Sequence, residues 1–337
     1  MPIGKPDLGF LASKEKTMRR VLLPFVFVLL ALSLVAAGCG SSESDGSGNG
    51  EAAPAAEAEA EGDGGGEGSP SGADLLARAA EAGQGLRSAH YVLDANVTVT
   101  GDGSNPQLTL FAQGPITLHL EGDASETAFT ADASVGFAGQ SFSGQLLAGE
   151  HEAFFNFMGQ WYGTKEAGFA DAAEQGAEGA VTDPQAAIQA IRDRFDDVLT
   201  GEVSEGPAVD GAETWRFEGT LNSSGIAALS QEFGGEAMTA EEVAQLEVIA
   251  DAVKVVVDFG REDSLPRHVE FQLALTADDL ADLGGSTGLE GVEALDMSVT
   301  IDVSDFGKDV SFEAPEQFAP FEDLFGQFLG LAAAAGA

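Results

Sequence analysis

Hydrophobic and polar residues alternate with a period of two through much of the chain, a pattern typical of strands with one buried face. The alternation starts near residue 90 and continues to residue 162, interrupted only by short polar or glycine turns. The strands predicted in this stretch are 90–99, one that starts at Leu108 and Leu110, 116–121, 126–133, 135–142, 144–149 and 151–162, the last with a turn at Gly159-Gln160. Because turns this short leave no room for crossover helices, the pattern predicts an antiparallel meander.

Helical spacing of apolar residues appears at intervals around this meander. Residues 74–86 form the first predicted helix, a second follows the Asp183-Pro184 pair, and a third begins at the Thr239-x-x-Glu242 capping box. A short helical turn is predicted at 277–283. The strands predicted between and after these helices are 214–221, 253–259, 267–275 and 292–303. The order predicts an α+β fold with one large curved antiparallel sheet and helices on one face.

The N-terminal region has the pattern of an export signal. Two arginines follow Met18, an apolar run extends from Val21 to Ala37, and Gly38-Cys39 comes next. Small residues before a cysteine resemble the bacterial lipobox, which implies diacylation of Cys39 and cleavage before it. We therefore expect a lipoprotein signal peptide at 18–38 and an over-extended start at 1–17. An uncleaved membrane anchor is the alternative, and both place the bulk of the chain outside the cytoplasm.

Residues 39–73 are composed almost entirely of Gly, Ser, Ala, Glu, Asp and Pro, which predicts a disordered acidic tether. Such a chain would span roughly 30–35 Å. It would hold a folded domain, residues 74–316, away from the membrane surface. The apolar segment 317–337 then ends the sequence.

Composition excludes several classes of function. The chain has 15 Lys and Arg against 56 Asp and Glu, a formal net charge of −41, so it lacks the cations that neutralise nucleic-acid phosphates. Its single cysteine cannot form an internal disulfide. We find no nucleophile and base at catalytic spacing, no phosphate-binding loop and no metal-ligand motif, and His119 is interpreted as a solvated histidine. We therefore predict neither enzymatic activity nor a cofactor.

Five short motifs follow the lipobox and tether. They span residues 86–91 (LRSAHY), 159–162 (GQWY), 211–220 (GAETWRFEGT), 265–269 (LPRHV) and 303–308 (VSDFGK). This order resembles the mycobacterial LppX/LprG-type lipoproteins and their relatives with a LolA-like fold. The resemblance implies a half-barrel with helices on its concave face and an apolar cavity between them. It also implies a monomer, lipid-anchored at the extracytoplasmic face of the cell membrane, that binds acylated lipid or glycolipid and has a possible envelope transporter as partner.

Apolar residues on the predicted strands are the candidates for lining such a cavity. They are Leu118, Phe129, Phe137, Phe155, Phe157, Val255, Val257, Phe271 and Leu273. The alternative for each is an ordinary place in a filled core. At the C-terminus, Phe321, Phe325 and Phe328 lie on one stripe of a predicted helix. They are candidates for a removable lid or a docking surface, with packing on the core as the alternative.

Two functions remain open. The first is a lipoprotein that carries or presents acylated lipid in the cell envelope, a process driven by burial of the acyl chains. The second is a non-enzymatic interaction or sensor module of the same fold without lipid cargo. Fold alone does not choose between them.

Overall fold

The computed structural model of the protein describes residues 69–83, 85–101, 114–125, 127–165, 194–232, 238–283, 291–321 and 323. Cys39 and its signal, the tether up to residue 68, most of the helix predicted after Pro184, and the lid candidates Phe325 and Phe328 lie outside these residues. Those expectations therefore stay predictions.

The described part of the chain contains eleven strands. In chain order they are β1 Ser88–Gly101, β2 Ile116–Ser125, β3 Ala128–Phe137, β4 Gln140–Gly149, β5 Ala153–Phe157, β6 Gln160–Thr164, β7 Leu199–Glu205, β8 Thr214–Leu221, β9 Val253–Gly260, β10 Pro266–Thr276 and β11 Val292–Ser304. The helices are α1 Gly72–Gly83, α2 Phe195–Val198, α3 Ser223–Glu232, α4 Ala240–Ala252 and α5 Ala277–Asp282. Among these residues no helix is long and apolar enough to span a membrane.

All eleven strands belong to one open antiparallel sheet. Its order is β6-β5-β4-β3-β2-β1-β11-β10-β9-β8-β7, so the first and last halves of the chain meet where β1 pairs with β11. The predicted α+β class, with a large antiparallel sheet and helices on one face, is confirmed by this arrangement. A sheet of this size twists because each strand is itself twisted.

The capping box predicted at Thr239 is present. The Thr239 side chain accepts a hydrogen bond from the backbone N–H of Glu242 at 3.2 Å, and the Glu242 carboxylate accepts one from the N–H of Thr239 at 2.8 Å. Two otherwise unpaired amides are thereby satisfied, so α4 begins at Ala240.

Three predictions of local structure were wrong. The three strands expected over 126–149 are two, β3 and β4, because the chain turns at Ala138 and Gly139, which have φ of 50° and 74°. β7 was missed because its sequence, LTGEVSE, shows little apolar alternation. α3 was missed because its serines and glycine resemble a loop.

One face of the sheet is apolar across its whole width, and we call it the apolar face. Residues paired directly across neighbouring strands share a face, so a single row can be followed from β5 to β7. This row is Phe157, Gly144, Ala133, Leu120, Leu93, Ile301, Val269, Val257, Phe217 and Val203. The strand alternation therefore presents one continuous apolar surface that needs covering.

The described helices cover only part of this surface. Their main contacts with the sheet are to β7, β8, β9, β10 and β11. On these strands many apolar-face side chains are almost wholly buried, as at Val255 (0 % exposed) and Val269 (1 %), and others, such as Leu273, are partly buried. They form one core with Leu246 of α4 and Leu75 of α1. We call the apolar-face residues of β7, β8, β9, β10 and β11 the covered half. We call the apolar-face residues of β2, β3 and β4 the open half.

Candidate functional site

The centre of the open half is accessible to solvent. Leu118 of β2 lies directly opposite Val135 of β3, and the two side chains are 37 % and 41 % exposed. In the same row, Phe271 and Val255 of the covered half are 5 % and 0 % exposed. The difference in burial therefore comes from what packs on the sheet, since all four residues are apolar and lie in one row of the same face.

The nine cavity candidates all point to the apolar face, but they divide between its two halves. Val255, Val257, Phe271 and Leu273 belong to the core beneath the helices. Leu118, Phe129 and Phe137 belong to the open half, where the two phenylalanines are partly buried. Their common face agrees with the alternation along each strand. It contained no signal for which of them the helices would cover.

Phe155 and Phe157 lie at the edge of the open half, in a group that we call the aromatic corner. Its members are Phe142, Phe155, Phe157, Tyr162, Ala319 and Phe321. Glycine at position 144 makes room for this group, because a Cβ there would lie 2.7 Å from the Phe155 ring. The Phe155 and Phe157 rings stack with centroids 6.0 Å apart. The lid candidate Phe321 thus packs on the apolar face in the described structure.

Val135 was not among the sequence candidates, although it is the most exposed large hydrophobic residue of the described strands. Its place opposite Leu118 depends on the β2–β3 register. Alternation within one strand does not reveal that register.

Two open clefts of about 410 and 460 Å³ lie elsewhere on the described surface. The first is beside α1 and β7, and the second is on the polar face around His119, Asp132 and Asn156. Neither is lined by any of the nine candidates. The open half is therefore an apolar surface rather than one of these clefts.

The opposite face of the sheet carries three histidine–carboxylate pairs. His90, His119 and His268 place Nδ1 at 2.9, 2.8 and 2.7 Å from carboxylate oxygens of Asp123, Asp94 and Asp302. Their Nε2 atoms face Glu121 or Glu270 at 3.7–4.0 Å. A catalytic triad would place a hydroxyl nucleophile there instead of a second carboxylate. Within the described residues no group of three or more His, Cys, Asp or Glu could hold a metal ion.

The hydrogen bond from Asp94 raises the pKa of His119 above its usual 6.5. We expect Asp94→Asn to move this pKa back towards 6.5 because the imidazolium loses its acceptor carboxylate. The pair stabilises the fold fully below the unfolded pKa of about 6.5, and the contribution is lost as pH rises through the folded value.

An NMR titration of the His119 ring in the full chain measures this shift. Asp132→Asn is the matched control. It removes a carboxylate from the same face of the sheet, and this carboxylate pairs with Gln145 rather than with a histidine. An equal pKa change in both variants would contradict the assignment to Asp94.

Comparison with known proteins gives matches among solved structures only. No family model and no curated protein matches the chain. The lipoprotein LppX of Mycobacterium tuberculosis is 13 % identical over 72 % of this chain and 97 % of its own, with a TM-score of 0.37. LprF of Mycobacterium bovis is 14 % identical over 74 % of this chain and 99 % of its own, with a TM-score of 0.32.

Proposed function

We propose that this chain is a membrane-anchored extracytoplasmic lipoprotein whose open half binds the acyl chains of a lipid or glycolipid. The observation that carries the proposal is the exposed Leu118–Val135 pair at the centre of a continuous apolar face. Contiguous apolar surface that stays exposed to water is a common feature of binding sites in folded proteins. The lipobox-like segment ending at Cys39 supports the anchor, and the tether supports its reach from the membrane.

The energetics favour a long hydrocarbon chain as the ligand. Association costs about 4 kcal/mol or more, and each methylene removed from water contributes about 0.8 kcal/mol. About six shielded methylenes are therefore needed before binding becomes favourable. The open half is long enough to shield such a chain, since β2, β3 and β4 have ten residues each and extend about 34 Å.

An interaction module is the second candidate, and the same exposure of Leu118 and Val135 supports it. Apolar side chains of an envelope protein would cover this surface as acyl chains do. In that case no lipid would accompany the purified chain.

Native mass spectrometry of the full chain, purified from host membranes in detergent, distinguishes the two functions. We expect a lipid bound non-covalently at one per chain, which is lost on denaturation. Acylation at Cys39 gives a separate mass increment that survives denaturation and disappears in Cys39→Ser. A chain that shows only the covalent increment, and takes up no added acyl lipid, would contradict lipid binding.

A further inference from the structure

Three neighbouring strands, β4, β5 and β6, carry no charged side chain, although 21 % of the chain is charged. Their sequences are QSFSGQLLAG, AFFNF and QWYGT. Elsewhere on the polar face, Glu121, Asp258 and Asp302 lie in one cross-strand row. The polar face therefore changes from charged to uncharged where it reaches β4.

An ordered row of polar side chains crosses these uncharged strands and ends at an aromatic ring. Asp132 of β3 lies opposite Gln145, Gln145 lies opposite Asn156, and Asn156 lies opposite the half-buried Trp161 of β6. The row is three strand spacings long, about 14 Å. Gln145 donates from Nε2 to Oδ1 of Asp132 at 2.9 Å, which orients its amide.

The turn between β5 and β6 adds an exposed apolar side chain to this row. Met158 and Gly159 have φ of 53° and 84°, a pair of positive values for which Asn-Gly is the preferred sequence. Met158 is 78 % exposed, so neither the turn nor the core explains a methionine there. Asn156 holds the turn by accepting the Gly159 N–H on Oδ1 at 3.2 Å, which leaves its Nδ2 to donate elsewhere.

Met158, Gln145 and Asn156 line the polar-face cleft of about 460 Å³. We call these three residues and Trp161 the neutral patch. Asn and Gln side chains both donate and accept hydrogen bonds, as sugar hydroxyls require. The indole and the thioether offer soft apolar contact to the C–H groups of a sugar ring.

Other ligand classes fit the neutral patch less well. Asp132 beside it and the net charge of −41 disfavour an anion. A divalent metal ion requires a set of carboxylate or imidazole ligands, and the described residues form no such group. An uncharged ligand rich in hydroxyl groups is the remaining match.

We propose that the neutral patch binds an uncharged oligosaccharide segment of a cell-envelope polysaccharide. The patch lies on the face opposite the open half, so the saccharide is a separate molecule from any acyl cargo. Saccharide binding does not depend on lipid binding, whereas the location in the envelope rests on the proposed function. Bound polysaccharide would hold the domain beyond its membrane anchor.

Tryptophan fluorescence of the full chain measures this binding, because the chain has only two tryptophans, Trp161 and Trp215. The chain, kept in a detergent without a sugar headgroup, is first applied to an array of immobilised neutral and acidic oligosaccharides. The neutral oligosaccharide with the strongest signal is then titrated in solution. We expect a change in emission that persists in Trp215→Phe and disappears in Trp161→Phe.

A conservative variant tests the amide row. Asn156→Asp keeps the acceptor for the Gly159 N–H, so the turn should still form, but it loses the Nδ2 donor and adds a charge. Asn96→Asp is the matched control, an identical change at an exposed position of β1 on the polar face, outside the residues that line the cleft. We expect calorimetry to show saccharide affinity several-fold weaker in Asn156→Asp and unchanged in Asn96→Asp.

Four results would overturn the proposal. They are no binding of any neutral oligosaccharide, equal or stronger binding of acidic ones, an emission change that comes from Trp215 alone, and equal weakening in Asn156→Asp and Asn96→Asp. Lipid occupancy measured by native mass spectrometry should be unchanged in Asn156→Asp. Loss of lipid together with saccharide would overturn the separation of the two sites.

Discussion

Replacing Val135 with aspartate is expected to remove most of the lipid that co-purifies with the chain. The side chain sits at the centre of the open half, opposite Leu118. A carboxylate there would be buried against hydrocarbon without a partner, which costs several kcal/mol, and each 1.4 kcal/mol is a tenfold loss of affinity. Native mass spectrometry of the variant should show lipid occupancy reduced at least about tenfold.

The folded state should tolerate this substitution, because Val135 is 41 % exposed in the absence of cargo. Ser143→Asp is the matched control, since it adds the same charge at an exposed position of β4 on the polar face. We expect the control to retain its lipid, and both variants to unfold at denaturant concentrations close to that of the parent chain. Equal lipid loss in both variants would mean that added charge, rather than the open half, controls binding.

Replacing Arg216 with methionine is expected to lower the free energy of unfolding by about 3–5 kcal/mol. Arg216 donates from Nε and Nη2 to the two carboxylate oxygens of Asp258, at 2.8 and 2.7 Å. Asp258 is 0 % exposed, and the loop starting at Gly206 closes over it. Without Arg216 the carboxylate would lie buried and unpaired between β8 and β9.

Denaturant unfolding of the full chain measures this loss. Lys308→Met is the control, because it also removes one positive charge but from an exposed pair with Asp305, where we expect little change in stability. The double variant Arg216→Met/Asp258→Leu should recover most of the stability, since no unpaired charge remains. A double variant no more stable than Arg216→Met would show that packing, not the buried carboxylate, dominates.

Local signals in the sequence predicted much of this fold. Alternation placed the strands of the meander, and the Thr239 capping box located the start of α4. These features depend on neighbouring residues, so a single sequence contains them. The boundary between β3 and β4 was not predicted, because the turn there needs a positive φ at Ala138 and this conformation is uncommon for residues other than glycine.

The candidate site depended on non-local structure, and there the sequence was less informative. It identified apolar residues such as Leu118 and Val255 but could not separate an exposed position from a buried one. That separation follows from the pairing of β1 with β11, which joins the two halves of the sheet, and from where the helices then pack. Likewise, Val135 lies opposite Leu118 only because of the register in which β2 and β3 pair.

The most direct test of the central claim is to map where an acyl chain contacts the protein. The full chain would be reconstituted in vesicles containing a lipid with a diazirine in its acyl chain, irradiated, and digested for peptide mass spectrometry. We predict cross-links on Leu118, Val135 and their apolar-face neighbours in β2–β4, reduced in Val135→Asp and retained in Ser143→Asp. Cross-links confined to the N-terminal tether, with none in β2–β4, would contradict the claim that the open half binds acyl chains.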